Sequence, residues 1–377
     1  MFRKLVRLIK APIVFVLKRP IIWFSQRVSS SPQKEAVFER LSEIYEGITS
    51  DSDLKEGAMY DINLKDGRST IILTDHHKGN RRGGDEFRHT EGTYLAALDY
   101  YDQKDSYYIN LGDSEELWKY NIFSIMKKNK ATFEAEKKFV KRKAFFKLYG
   151  NHDIFWKIDP FASFYLWQLY GKPINIYGGI VIRVNYAEGH YIDFFCTHGH
   201  QGDSRSDGNW FSKWFVAYIW GPLQSFLEIN INTPALSQQE KTYHNQLMYE
   251  WSQNQKNLVL ITGHTHQTIF HSYSHIQWLK QQLSIAQDQG LEEEAASWQE
   301  KINRHPSQCD GRLTDKNGEK PTYFNAGCCC FNDGSMSGIE ISGGQIALVR
   351  WANEEGEYKR KVLEALPLIE LHHLFYD

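Results

Sequence analysis

The sequence predicts an α/β protein: a sandwich of mixed β-sheet, preceded by a basic amphipathic segment and interrupted by helical insertions. Three observations point there. Short β-rich runs recur along the chain, the early ones alternate with helical-looking segments, and the later ones follow one another closely. Alternation suits parallel βαβ units and close succession suits antiparallel sheet; a layered α/β sandwich accommodates both. The bulk properties agree. With 377 residues, 41% hydrophobic and 24% charged, the chain has material for one large domain or two ordinary ones. Its 27 glycines and 10 prolines are too few for a collagenous or low-complexity chain. No uninterrupted apolar run approaches the roughly 18 residues of a membrane span. Five cysteines, three of them adjacent (Cys328, Cys329, Cys330), do not form a spaced disulfide framework and favour a reducing compartment.

In chain order, residues 1–34 come first as a basic amphipathic segment. They carry Arg3, Lys4, Arg7, Lys10, Lys18, Arg19, Arg27 and Lys34, with no acid before Glu35. Subtracting those eight charges from the net −2 leaves the rest of the chain near −10. Apolar residues such as Phe2, Ile13, Ile21, Trp23 and Phe24 lie between the cations, a composition suited to the membrane interface. A secretory signal would need a longer apolar centre than the run that Lys18-Arg19-Pro20 interrupts. The plainer alternative is a helix packed on its own domain with solvated charges. Ser29-Ser30-Ser31-Pro32 reads as the linker to a main domain over residues 35–377.

Strands are expected at Ser69–Thr74, Tyr107–Leu111, Phe145–Tyr149, Val181–Asn185, Tyr191–Thr197, Asn257–Thr262, Thr322–Asn325, Gly338–Ile341 and Ile346–Trp351. Helices are expected at Glu91–Tyr101 and Trp118–Arg142. Two long stretches break the pattern and read as insertions. Residues 203–235 are aromatic, with Trp210, Trp214, Tyr218, Trp220 and Phe226 among others. Residues 276–303 read as one or two polar helices with a break near Gly290.

Five short motifs then fall at the ends of expected strands: Asp75-His76-His77, Gly112-Asp113, Gly150-Asn151-His152-Asp153, His198-Gly199-His200 and Gly263-His264-Thr265-His266. A single histidine after a strand is weak, but five such motifs in order point to one site, since open α/β sheets gather ligands at the strands' carboxyl edge. Carboxylate, amide oxygen and imidazole together suit manganese, iron or zinc.

The order D-x-H, G-D, G-N-H-D, H, G-H-x-H resembles the calcineurin-like metallophosphoesterase superfamily over roughly residues 69 to 351. That resemblance implies an αββα sandwich holding two divalent ions, manganese first, with iron or zinc as alternatives. It implies that Asp75, His77 and His266 hold the first metal, that Asn151, His198 and His264 hold the second, and that Asp113 bridges them. His152 matches the histidine that assists the leaving group, and Asp153 is expected to orient a neighbour without binding metal. Two cations about 3.5–4 Å apart can activate a shared water as hydroxide for in-line attack on phosphorus. Gly112, Gly150 and Gly263 suit tight turns beside the metals.

Within the superfamily, the protein Ser/Thr phosphatases continue G-D-x-x-D-R-G, whereas this chain reads Gly112-Asp113-Ser114-Glu115-Glu116-Leu117-Trp118. The run G-D-x-x-E-x-W is similar to that of the UDP-2,3-diacylglucosamine pyrophosphohydrolases. Those enzymes also place a helical lid after their H-G motif and carry G-S-M near the end, here Gly334-Ser335-Met336. Two features depart: they usually carry Arg where His152 stands, and the cysteine triplet has no counterpart. Lys78, Arg81 and Arg82 are candidates for gripping a second phosphate, against the plainer reading of a solvated loop. The cysteine triplet is read first as buried, inert thiols, with soft-metal binding or redox activity as alternatives.

Three functions follow. The first is a dinuclear-metal phosphohydrolase of a phosphoester or pyrophosphate, such as a lipid-linked nucleotide, acting at the cytoplasmic membrane face and held to an anionic surface by residues 1–30. The second is a soluble phosphomonoesterase or phosphodiesterase of nucleotide-like substrates. The third is a catalytically dead membrane scaffold. Nucleic acid is not an expected partner, because the body is acidic and the basic arm too apolar.

Overall fold

The computed structural model describes residues 33–50, 57–63, 68–82, 84–186, 189–202, 238–270, 273–274, 283, 286–287, 291–304 and 321–376. Two seven-stranded mixed sheets face each other. Sheet I holds β2 (Thr70–Leu73), β3 (Tyr107–Asn110), β4 (Phe145–Leu148) and β5 (Ile176–Tyr177) in parallel. The antiparallel run β12 (Met336–Ser342), β13 (Gln345–Glu354) and β14 (Glu357–Pro367) joins it beside β2. Sheet II runs β1 (Gly57–Asn63), β6 (Gly179–Asn185), β7 (Tyr191–Thr197), β8 (Leu258–Thr262), β11 (Tyr323–Ala326), β9 (Thr268–Phe270) and β10 (Tyr273–Ser274).

Period-two alternation builds the layers. Ile72, Ile109 and Leu148 of sheet I meet Ile180, Phe194, Val259 and Phe324 of sheet II in the central core. Their neighbours Ile71, Leu73 and Tyr108 point outward, against Tyr94, Ala97 and Leu98 of α2 (Glu91–Gln103) and Phe139 of α4 (Lys130–Lys141). On the far side, Val37, Leu41 and Ile44 of α1 (Lys34–Thr49) and Leu247, Met248 and Trp251 of α7 (Gln238–Gln253) cover Val181, Phe195 and Leu260. Strands buried on both faces read as apolar runs. The result is the expected αββα sandwich of mixed sheets.

Two expectations change in detail. The later strands are not all antiparallel: β7 with β8 and β8 with β11 pair in parallel, whereas β6 with β7, β9 with β10 and β11, and the run β12 to β14 are antiparallel. The helix expected over Trp118–Arg142 is two, α3 (Ile122–Lys128) and α4. Asn129 sits at the break, its amide donating to Gly79 O (2.7 Å) and Ile125 O (2.9 Å), a tertiary tie that wins over continuing the helix. Short helices α5 (Phe155–Ile158) and α6 (Ala162–Tyr170) follow β4, and α9 (Leu368–Tyr376) follows β14. Of the 276–303 insertion, α8 (Glu292–Arg304) is described and is helical. The aromatic segment 203–235 and residues 1–32 lie outside the described residues. Among the described residues no helix is long and apolar enough to cross a membrane.

Candidate metal centre

Each motif leaves the carboxyl end of a strand: Asp75 after β2, Asp113 after β3, Asn151 and His152 after β4, His198 after β7, His264 and His266 after β8. Because β2, β3 and β4 are parallel, and β7 with β8 likewise, these ends gather at one edge. Backbone bonds lace the loops together: Asp75 N donates to Gly112 O (3.2 Å), His77 N to Asp113 O (2.9 Å) and Gly263 N to His198 O (3.0 Å). Five non-glycine residues there take left-handed backbone: Asp75 (φ 52°), His77 (50°), Asp113 (48°), His264 (68°) and His266 (55°). Such conformations cost free energy and concentrate at functional sites. Gly150 answers a steric demand, since a Cβ there would stand 2.2 Å from Asp113 Oδ1.

All seven expected metal ligands come together. His266 Nε2 lies 3.1 Å from Asp75 Oδ1 and 3.2 Å from His77 Nε2. His198 Nε2 lies 3.2 Å from Asp113 Oδ2 and 3.3 Å from Asn151 Oδ1. Asp113 Oδ2 is also 3.8 Å from His77 Nε2, so this carboxylate stands between the two groups. Asp75, His77 and Asp113 form one cluster of converging donor atoms; Asp113, His198 and His264 form another, and Asp113 is common to both. The donors fit divalent ions. Asp75 Oδ1 and His264 Nε2 are buried with no hydrogen-bond partner among the described residues, as donor atoms kept for an ion would be. The second carboxylate oxygens are held in place, Asp75 Oδ2 by Thr74 Oγ1 and His264 N, and Asp113 Oδ1 by His152 N.

The electrostatics fit the same picture. Burial would raise the Asp75 carboxyl and lower the His266 imidazole, but their mutual attraction wins, holding Asp75 low and His266 up at about 10. Burial likewise opposes His198, yet Asp113 raises it to about 9. His264, buried beside other histidines, is pushed well down and needs to lose no proton to ligate, whereas the protons that Asp75 and Asp113 hold on His266 and His198 are ones a bound ion would displace.

His152 is braced on two sides. Its Nδ1 lies 2.9 Å from Glu116 Oε1, and its ring stacks on Trp118 at 4.0 Å. Glu116 was legible only as a motif letter, but it does more: Oε2 lies 3.5 Å from His77 Nδ1, so one buried carboxylate backs both a metal-ligand candidate and the neighbouring histidine. Asp153 accepts from Gly150 N (2.6 Å) and Ser114 N (2.8 Å), tying the third motif to the second. Burial, with the charges of Glu115 and Asp113 and against that of Lys147, pushes its carboxyl up to about 6.

The three basic candidates are placed differently. Lys78 is wholly buried, its Nζ 2.5 Å from Glu136 and 3.3 Å from Glu115, so it joins a structural network and faces no substrate. Arg81 is paired with Glu91. Arg82 is exposed. The cysteines are buried free thiols, as expected, but they are not isolated. They follow β11, whose parallel pairing with β8 brings them to the same edge and puts Cys330 Sγ 3.9 Å from His266 Nδ1. Burial would raise the Cys328 thiol; its bond to Cys330 and the His266 charge lower it to about 6. The sequence reading also passed over His244 of α7, a buried ring 5.2 Å from His264.

This sandwich edge carries two histidine–carboxylate donor groups that share an aspartate and could hold metal ions. Residues 68–268 match the calcineurin-like phosphoesterase family, and the chain belongs to that family. No curated protein matches it. Among solved structures it is similar to vacuolar protein sorting 29 from Cryptosporidium parvum, at 14% identity over 80% of this chain and 98% of the other, TM-score 0.29. Vps29 from Entamoeba histolytica matches at 11% identity over 78% and 99% of the two chains, TM-score 0.29. A predicted phosphoesterase from Streptococcus pneumoniae TIGR4 matches at 10% identity over 78% and 97%, TM-score 0.28. At those scores the three carry no argument about function.

Proposed function

We infer that the protein is a divalent-metal phosphohydrolase. The observation that carries this reading is the pair of donor groups meeting at Asp113 with His152 alongside. Asp75, His77 and His266 would hold one ion, Asn151, His198 and His264 a second, with Asp113 between them. Divalent ions there supply positive charge for the phosphoryl oxygens and make a bound water more acidic. The chain's own residues do the rest. Glu116 accepts from Nδ1 and fixes the His152 ring, so that when the ring is doubly protonated its Nε2–H can donate to the departing oxygen. Trp118 holds that ring flat, and Thr74 and the His264 amide keep Asp75 turned inward.

The narrower substrate is a lipid-linked nucleotide diphosphate, such as UDP-2,3-diacylglucosamine, taken at an anionic membrane surface on the cytoplasmic side. The run Gly112 to Trp118, Gly334-Ser335-Met336 and the aromatic stretch 203–235 support it. His152, where such hydrolases usually carry Arg, favours the second reading, a phosphomonoesterase or phosphodiesterase of nucleotide-like substrates. The test is turnover by protein loaded in turn with manganese, iron and zinc, offered UDP-2,3-diacylglucosamine in detergent and simple aryl phosphates, with Asp113→Ala as control. UMP release lost in the control supports the lipid-nucleotide reading. Aryl phosphate turnover without UMP release supports the second, and no turnover with any ion refutes both.

A further inference from the structure

Helix α6 is apolar on two faces. Ala162, Leu166 and Leu169 are buried with Ile122, Ile125 and Trp156 in a small cluster of their own. The outward side carries Phe164 and Trp167, 52% and 54% exposed, continued by Phe161 at 62% and by Phe123 of α3 at 62%. These side chains adjoin: the Phe123 ring lies 5.6 Å from that of Tyr165, which lies 5.9 Å from Phe164. A run of exposed aromatic side chains marks an interaction surface. The inner cluster is complete without these rings, so folding does not require them.

The charge around the patch identifies the partner. Lys127, Lys128, Lys130, Lys157 and Lys172 are all exposed beside it in the chain. Across residues 121–131 and 155–173 there is one carboxylate, Asp159, and its Oδ1 accepts from Phe161 N at 2.7 Å. Protein interfaces are depleted in lysine, whereas exposed aromatic rings with lysines close by in the chain suit a bilayer whose head groups are anionic. We propose that this aromatic and lysine-rich face, formed by α3 and α6, docks on an anionic membrane surface. It is a contact separate from the basic residues 1–34, and two weak contacts on one chain reinforce each other. Because α5 begins at Phe155, three residues after His152, docking brings the metal centre close to the lipid head groups. The proposal does not depend on which bond is cleaved.

The test is co-sedimentation of the full chain with vesicles of phosphatidylcholine alone or mixed with phosphatidylglycerol. Phe161→Ser/Phe164→Ser/Trp167→Ser should lower partitioning onto the anionic vesicles about tenfold or more, leaving aryl phosphate turnover intact. Lys127→Glu/Lys130→Glu, which leaves the apolar cluster untouched, should lower it too, and decides the matter if the triple variant fails to fold. Equal partitioning of parent and variants overturns the proposal. So does absence of binding by the parent, or a self-association in sedimentation that the triple variant abolishes without any effect on vesicles, which would assign the face to a second copy of the chain.

Discussion

Neutralising Glu115 should destabilise the fold by several kilocalories. Its carboxylate accepts from Lys147 Nζ (2.8 and 3.2 Å), Lys78 Nζ (3.3 Å), Trp156 Nε1 (2.7 Å) and Ser114 Oγ (2.8 Å), and none of these groups reaches solvent. In Glu115→Gln, Lys78 keeps Glu136 at 2.5 Å, and that carboxylate also keeps Tyr94 and Tyr170. Lys147 bonds no other carboxylate among the described residues, so one buried ammonium loses its hydrogen-bonded counter-ion and keeps only the charge of Asp153 nearby. Breaking a buried pair in this way costs about 3–5 kcal/mol, whereas removing both ions is often neutral. Urea unfolding followed by circular dichroism at neutral pH should therefore show a large fall in midpoint for Glu115→Gln, with most of it recovered in Glu115→Gln/Lys147→Met. The pH dependence has a definite sign. Burial would raise the Glu115 carboxyl, but Lys147 and Lys78 pull it from 4.5 down to about 2. A depressed carboxylate contributes its stability above 4.5 and loses it as pH falls from there through about 2. Over that window the parent should lose more stability than Glu115→Gln. A single variant within about 0.5 kcal/mol of the parent would refute the argument.

Three more outcomes are expected. Glu116→Gln should cut turnover about 10–100-fold with the fold unchanged, because it loosens both His77 and His152; unaltered kcat would count against the bracing role. In Gly150→Ala the new methyl would stand 2.2 Å from Asp113 Oδ1 and 2.6 Å from Asp113 N, so metal content after dialysis should fall and stability drop by about 1–3 kcal/mol; full metal retention would contradict it. Chelation should lower the melting temperature, since the donors converge only in the folded chain, and an identical melt with and without chelator would be inconsistent with a metal-holding site.

The metal centre was legible because its chemistry is local. A strand, a tight turn and a histidine or aspartate occupy a few consecutive residues, and such units sit side by side once β2, β3 and β4 align. The burial of Lys78 was not legible, because nothing beside it in the chain shows that Glu115 and Glu136 wait 37 and 58 residues away. The cysteine triplet was opaque for a related reason: its place at the site depends on β11 lying parallel to β8, a strand far back in the chain with β9 and β10 in between. β14, Glu357–Pro367, was missed because it is largely charged and exposed, as an edge strand can be. Helices α1 and α7 were passed over, although they cover an entire sheet face.

The order of strands in sheet I carries a consequence for how the molecule is made. β12, Met336–Ser342, is the partner that lies against β2, Thr70–Leu73, from which Asp75 departs. A nascent chain therefore keeps the β2 edge unpaired until more than 260 further residues have left the ribosome. The first ligand cluster cannot assemble until His266 has emerged, long after Asp75, and β12 follows later still. Contacts of such long range are slow to form and leave apolar strand exposed meanwhile. Truncation before β12 would therefore leave the β2 edge, beside the site, without its partner.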